Sequence, residues 1–262
     1  MKSEQNTICT VCGEEKGRRQ YFGMKIPQKC RCEREREQRE KEEQERRGEI
    51  AVRRKMLDNS GLKPIDKYPE KLSAMNLVAG QEEAHAACMR FCREFMEQKK
   101  FTGLRGFALA GGVGGGKTYL VGTFVRAVIG LCCIPPEDIA YAVRFGKSDT
   151  NRTPVRFVNS AELFSEIRDY DSGIGRDMLY ECKNAPLLIL DDLGVEVKNK
   201  TTNESLYRLL DHRMNNNLPT VFTINADPCQ LRKDYGDRIY DRMRGMCDII
   251  GVTTKSQRGM EP

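Results

Sequence analysis

Apolar and polar positions divide the chain into three textures. From residue 103 onward, short apolar runs alternate with amphipathic segments, which is the mark of a parallel sheet flanked by helices. The predicted strands are 106–110, 155–159, 187–190, 220–224 and 249–252. Helices are predicted near 117–129, 161–169, 202–214, 228–233 and 237–244. Pro135-Pro136 and the polar run 147–153 mark a loop or an inserted excursion before the second strand. Upstream, Ala84, Ala87, Cys88, Phe91 and Phe95 recur at helical spacing after Gly80, predicting a helix whose stripe packs on the following domain. Residues 33–47 are nearly all Glu, Arg, Lys and Gln, a composition suited to a solvated helix laced by i,i+4 pairs, and Ser60-Gly61-Leu62-Lys63-Pro64 breaks that pattern. The reading is therefore α/β. Residues 1–48 form a small N-terminal part, 49–102 a helical linker, and 103–262 a core domain built on a five-stranded parallel sheet.

Composition adjusts this picture only slightly. A chain of 262 residues has room for one well-cored domain and an appendage. Its net charge of +6 permits phosphate-rich partners without demanding them. The polar N-terminus and the lack of a long apolar window predict a soluble, cytoplasmic protein with no membrane partner. Eleven cysteines, an odd number in no regular framework, argue against a disulfide scaffold. Four of them, Cys9 and Cys12 followed by Cys30 and Cys32, form two thiolate knuckles of the kind that tetrahedral Zn2+ prefers. The surrounding stretch has little apolar content, so the metal is expected to be structural.

The strongest chemical signal is Gly111-Gly112-Val113-Gly114-Gly115-Gly116-Lys117-Thr118, which matches G-x-x-x-x-G-K-[ST] between a predicted strand and a predicted helix. Glycines let successive backbone N–H groups face a triphosphate, and the helix that follows directs its positive end at it. Lys117 is expected to reach the β and γ phosphates of ATP and Thr118 to ligate Mg2+, with Tyr119 completing the nucleotide-binding stretch. The run 187–190 leads into Asp191-Asp192, a buried strand presenting an acid to the hydrated magnesium; Asp191 is the predicted metal ligand. Asp192 is the candidate for orienting the attacking water. It is one methylene shorter than the Glu many such sites use, and Glu196 competes for the role. A further apolar strand ends at Asn225; as a neighbour of the acidic strand it would aim that amide at the γ phosphate. Near the C-terminus, Arg238 and Arg242 share a helix face at i,i+4, and a guanidinium there could stabilise phosphoryl charge in a neighbouring subunit.

These motifs, with Leu187-Leu-Ile-Leu-Asp-Asp-Leu-Gly-Val-Glu196, Leu218-Pro-Thr-Val-Phe-Thr-Ile-Asn225 and Gly236-Asp-Arg-Ile-Tyr-Asp-Arg-Met-Arg244, resemble those of the DnaC/DnaI-type replicative helicase loaders, a branch of the AAA+ ATPases. The paired cysteines are similar to the zinc-binding, helicase-contacting region of such loaders. The resemblance implies an AAA+ P-loop NTPase that uses ATP to hold a DnaB-type hexameric helicase and help place it on single-stranded DNA. By it Asn225 matches a sensor, Arg242 an arginine finger acting through self-association in the ATP state, and Arg258 a second sensor touching the nucleotide. Slow turnover, stimulated by the partner or by single-stranded DNA, is expected. Phe164, Arg168 and Tyr170 offer an aromatic and basic mixture for contact with the strand. Two other readings are a transposition helper ATPase of the IstB type and a zinc adaptor that binds nucleotide without hydrolysing it.

Overall fold

The computed structural model describes residues 7–168, 174–194, 200–226 and 228–254. By compactness the chain forms two units. One comprises Met1–Val52 and Ile134–Asp149, the other Arg53–Cys133 and Thr150–Pro262. Residues 53–102 thus group with the core, and the excursion predicted from Pro135-Pro136 groups with the N-terminal part.

In the first unit, β1 (Thr7–Ile8) pairs antiparallel with β2 (Glu15–Lys16), and β3 (Arg18–Tyr21) with β4 (Met24–Pro27). Helix α1 (Arg31–Ser60) then begins, longer at both ends than the charged run that predicted it. Pairs Arg36–Glu40 at 3.6 Å and Glu43–Arg47 at 2.6 Å are of the predicted i,i+4 kind; being exposed, each contributes only about 0.3–0.5 kcal/mol. Gly48 of α1 leaves room for α4 (Pro136–Phe145): a Cβ there would lie 2.9 Å from Val143 and 3.1 Å from the Ile139 carbonyl. The two prolines that suggested a loop in fact precede and open this helix, Pro136 standing at its start where its missing N–H costs nothing.

In the second unit, α2 (Glu82–Gln98) buries the predicted stripe of Ala84, Ala87, Cys88, Phe91 and Phe95, with Cys92 added. Phe91 meets Phe107 of β5 (Gly106–Ala110) and Phe124 of α3 (Lys117–Leu131) in edge-on contacts with centroids 6.4 and 5.3 Å apart. This aromatic trio fixes the strand and helix on either side of the glycine loop. The remaining core elements are β6 (Val155–Asn159), α5 (Ser160–Arg168), α6 (Ile174–Asn184), β7 (Leu187–Leu193), α7 (Lys200–Asn215), β8 (Thr220–Ile224), α8 (Pro228–Tyr235), α9 (Asp237–Met246) and β9 (Cys247–Gly251). The five core strands are parallel in the order β6-β7-β8-β5-β9, so every C-terminal strand end lies at one edge of the sheet. Three predicted strands match residue for residue; β7 continues three residues past its apolar run, and β9 begins two residues early. Among the described residues no single helix is long and apolar enough to cross a membrane.

One fully buried cation stabilises this core. Arg213 of α7 donates to Thr220 Oγ1 at 2.8 Å and to the carbonyls of Cys182, Ala185 and Pro219 at 2.8, 2.8 and 2.6 Å. It joins the end of α6 to the approach to β8, satisfying carbonyls that helix and strand ends leave without partners.

Candidate functional site

The strand order dictates where the chemistry gathers. β8 lies between β5 and β7, so Asn225, one residue past β8, falls between the glycine loop that follows β5 and the acidic pair of β7.

The loop depends on glycine in two distinct ways. Gly116 takes φ 76°, a left-handed turn that caps α3, and a Cβ on it would lie 2.5 Å from Gln81 Nε2. Gly111 runs against the residue after β9, where a Cβ would lie 2.2 Å from the Val252 carbonyl. Val113, between them, is exposed, as is Tyr119 in part, whose ring lies 6.0 Å from that of the buried Tyr68. Gly112, Gly114 and Gly115 complete the turn, with Gln81 Nε2 donating to the Gly115 carbonyl at 2.9 Å. Lys117 Nζ donates to the Gly111 and Gly112 carbonyls at 2.9 and 2.7 Å. Burial pulls its pKa down, while the charges of Asp192 and Asp191 oppose that shift.

The acidic pair sits at an irregularity. Leu188 and Leu190 of β7 pair in register with Thr220 and Phe222, but Leu193 pairs with Ile224, so the ladder slips at Asp191-Asp192. Asp192 there adopts φ 57°. Such a bulge re-aims side chains. Asp191, only 4% exposed, accepts from Thr118 Oγ1 at 3.0 Å and from Thr223 Oγ1 at 2.6 Å. Burial raises its pKa above the ordinary carboxylate value against these two bonds. Asp192 Oδ1 accepts from Asn225 Nδ2 at 2.8 Å, and its backbone N–H donates to Thr223 Oγ1 at 2.8 Å.

Thr118, Asp191, Asp192, Asn225 and Lys117 are thus brought to one end of the sheet. The donor set fits a triphosphate and a hard divalent cation: backbone N–H groups at a helix start, one ammonium, a hydroxyl, and oxygen ligands from carboxylates. Arg242 stands on α9, donating to Asp211 Oδ1 at 3.0 Å and to the Tyr207 hydroxyl at 3.2 Å. Arg238, on the same helix, is exposed. Glu196, Tyr170 and Arg258 lie outside the described residues. Phe164 requires a correction: it is buried in the core beneath β6 and β7, so it is not available for stacking, and Arg168 Nε donates back to its carbonyl at 3.2 Å. The aromatic and basic mixture that suggested contact with a strand instead includes the inward face of α5, where Leu163 and Phe164 are buried.

Three participants escaped sequence reasoning. Thr223 carried a faint signal, a hydroxyl inside an otherwise apolar buried strand, which must find a partner. Gln81 and Tyr68 carried none, since a polar residue before a helix and a lone tyrosine are commonplace.

In the first unit, Cys9, Cys12, Cys30 and Cys32 place their Sγ atoms within 4.8 Å of one another. Cys9–Cys32 and Cys30–Cys32 are 3.5 and 3.2 Å apart, near the roughly 3.8 Å edge of a tetrahedron with Zn–S bonds of about 2.3 Å. Backbone N–H groups of Cys12 and Val11 hold the Cys9 thiol down to about 6, in favour of thiolate. Glu33 accepts from the Cys30 N–H at 3.1 Å and from Lys16 Nζ at 2.6 Å, orienting the second knuckle at the start of α1. The set fits a structural zinc.

The fold is that of a P-loop domain of the AAA+ class, with a residue set that fits a nucleotide and Mg2+. No family model matches the chain. In sequence it is 23% identical over 194 residues to the replicative helicase loader DnaC of Escherichia coli (strain K12), covering 73% of this chain and 69% of DnaC. The crystal structure of DnaI superimposes with a TM-score of 0.56 at 27% identity, covering 75% of this chain and 95% of DnaI. That of the DnaC helicase loader gives 0.53 at 20%, covering 71% and 98%. The chain therefore resembles the DnaC/DnaI-type loaders in fold and in sequence, as its motifs imply.

Proposed function

We propose that this protein is an ATP-dependent loader that binds a hexameric replicative helicase and helps deposit it on single-stranded DNA. The observation that carries the reading is the convergence of Lys117, Thr118 and Asp191 at the strand ends of a chain similar to DnaC over nearly three quarters of its length. In this reading the loop amides and Lys117 grip the β and γ phosphates, and Thr118 and Asp191 hold the hydrated Mg2+ that neutralises their charge. Asp192 orients the attacking water, and Asn225, hydrogen-bonded to it, senses the γ phosphate. Asp192 is short for this task and already engaged with Asn225, so hydrolysis by the isolated chain is expected to be slow. Arg242 serves a neighbouring copy in the ATP-bound assembly, leaving Asp211 and Tyr207 to do so, and Arg258 contacts the nucleotide from the C-terminal segment. The zinc-bearing part, residues 1–48, contacts the helicase.

The test is co-purification with the host's hexameric helicase, with and without ATP, alongside ATP turnover with and without single-stranded DNA. A shared complex and stimulated turnover lost in Lys117→Ala are expected. A complex formed with a DNA-bound transposase and not with the helicase would refute the reading in favour of a transposition helper. Absence of turnover under every condition would refute hydrolysis and leave a nucleotide-binding adaptor.

A further inference from the structure

The peptide joining Gly115 to Gly116 lies between two residues without a Cβ, so little intrinsic to the chain resists rotation of that plane. The plane is trans, and its carbonyl and its N–H therefore point in opposite directions. Turned one way, it presents an N–H to a bound phosphate, which attracts; turned the other way, it presents a carbonyl, which repels. The Gly116 N–H donates to no acceptor among the described residues. A loop that binds anions needs something to hold the Gly115 carbonyl on the far side.

Gln81 stands where it can do so. It occupies the cap position of α2 and is 5% exposed, yet its side chain makes no capping bond to its own helix. Instead Nε2 donates to the Gly115 carbonyl at 2.9 Å, and Oε1 accepts from the Val78 N–H at 3.2 Å. A donor at one end and an acceptor at the other fix which way the amide lies, since the reverse orientation would set like against like. The Gln81 backbone is itself anchored. Its N–H donates to the Val78 carbonyl at 3.0 Å, and its carbonyl accepts from the His85 N–H at 2.9 Å. We propose that Gln81 is a positioning residue for nucleotide binding, pinning the Gly115 carbonyl outward so that the Gly116 N–H stays turned toward the triphosphate. This role rests on the reading of Gly111–Thr118 as a triphosphate-binding loop.

Gln81→Met keeps the length of the side chain and removes both polar atoms. In the full-length protein, its calorimetric Kd for Mg-ATP should rise about tenfold. The Kd for magnesium tripolyphosphate should rise by the same factor, because the lost contact is to phosphate. Nitrogen-15 NMR reads the peptide itself. In the parent, Mg-ATP should move the Gly116 N–H resonance downfield; in Gln81→Met saturated with Mg-ATP that shift should largely vanish, while the Lys117 backbone N–H shifts as in the parent. Gln81→Glu, which keeps the acceptor for Val78 and loses only the donor, should show the same loss at Gly116. A parent that binds Mg-ATP while Gln81→Met binds it equally well, or keeps the full Gly116 shift, would overturn the positioning role and leave the nucleotide reading intact. Weakened Mg-ATP binding with unchanged tripolyphosphate binding would also overturn it, placing Gln81 at the base. A parent that binds no Mg-ATP would overturn both.

Discussion

Replacing Asp191 by Asn should change stability in opposite directions with and without nucleotide. The parent carboxylate is 4% exposed, and its recorded donors are two neutral hydroxyls, Thr118 and Thr223. Burial outweighs them and raises the pKa above the ordinary 3.8. A carboxylate with a raised folded pKa lowers stability at every pH above that raised value and not at all below the ordinary one. Nucleotide-free stability therefore falls as pH rises through the window between them. Asparagine keeps the shape and an acceptor for both hydroxyls while removing the charge, so Asp191→Asn should stabilise the nucleotide-free protein at neutral pH by about 1–2 kcal/mol. For a chain of this size that is a Tm gain of roughly 2–8 °C, fading in buffers below about pH 4. Mg-ATP at a hundred times its Kd should stabilise the parent by about 2.7 kcal/mol, roughly 5–11 °C. The variant, lacking the anion that holds the magnesium, should show little of that shift. Differential scanning calorimetry across pH, with and without Mg-ATP, measures both. A variant less stable than its parent without nucleotide, or one showing the full Mg-ATP shift, would refute the reasoning.

Other changes follow from the same geometry. Gly116→Ala puts a Cβ against Gln81 Nε2 in a left-handed turn, so Mg-ATP affinity should drop more than tenfold, read by titration with a fluorescent analogue, while the far-ultraviolet spectrum stays unchanged. Arg213→Met leaves the carbonyls of Cys182, Ala185 and Pro219 without their donor and should cost about 3–5 kcal/mol, measured by urea unfolding. Titrating the thiols with a mercurial should release one zinc per chain; Cys12→Ser should lower that yield and increase proteolysis within residues 7–30, leaving the Mg-ATP-induced Tm shift intact.

Much of the core was legible because its strands are short apolar runs bounded by turn residues, and because in a parallel sheet functional groups collect at strand ends. The end of β7 was not legible, since Asp191 and Asp192 interrupt the apolar pattern while a bulge keeps them in the strand. Helix α4 was read as an excursion because two prolines resemble a loop until one is seen to open a helix. The hairpin strands of the cysteine-bearing part are two to four residues long, too short to display a period. Phe164 shows the converse failure: an aromatic beside an arginine has the composition of a nucleic-acid contact, and only packing tells that it faces the core. The supports of the site, Gln81 and Thr223, act through distances that separate them by many residues from what they hold, and such contacts leave no local pattern.

The central claim is that the Gly111–Thr118 loop and Asp191 together bind a magnesium-complexed triphosphate. Isothermal titration of the full-length, zinc-loaded protein with Mg-ATP tests it most directly. The account predicts saturable heat with one site per chain, abolished by Lys117→Ala and sharply reduced when magnesium is chelated. No heat from the parent protein, or heat that survives Lys117→Ala unchanged, would contradict it.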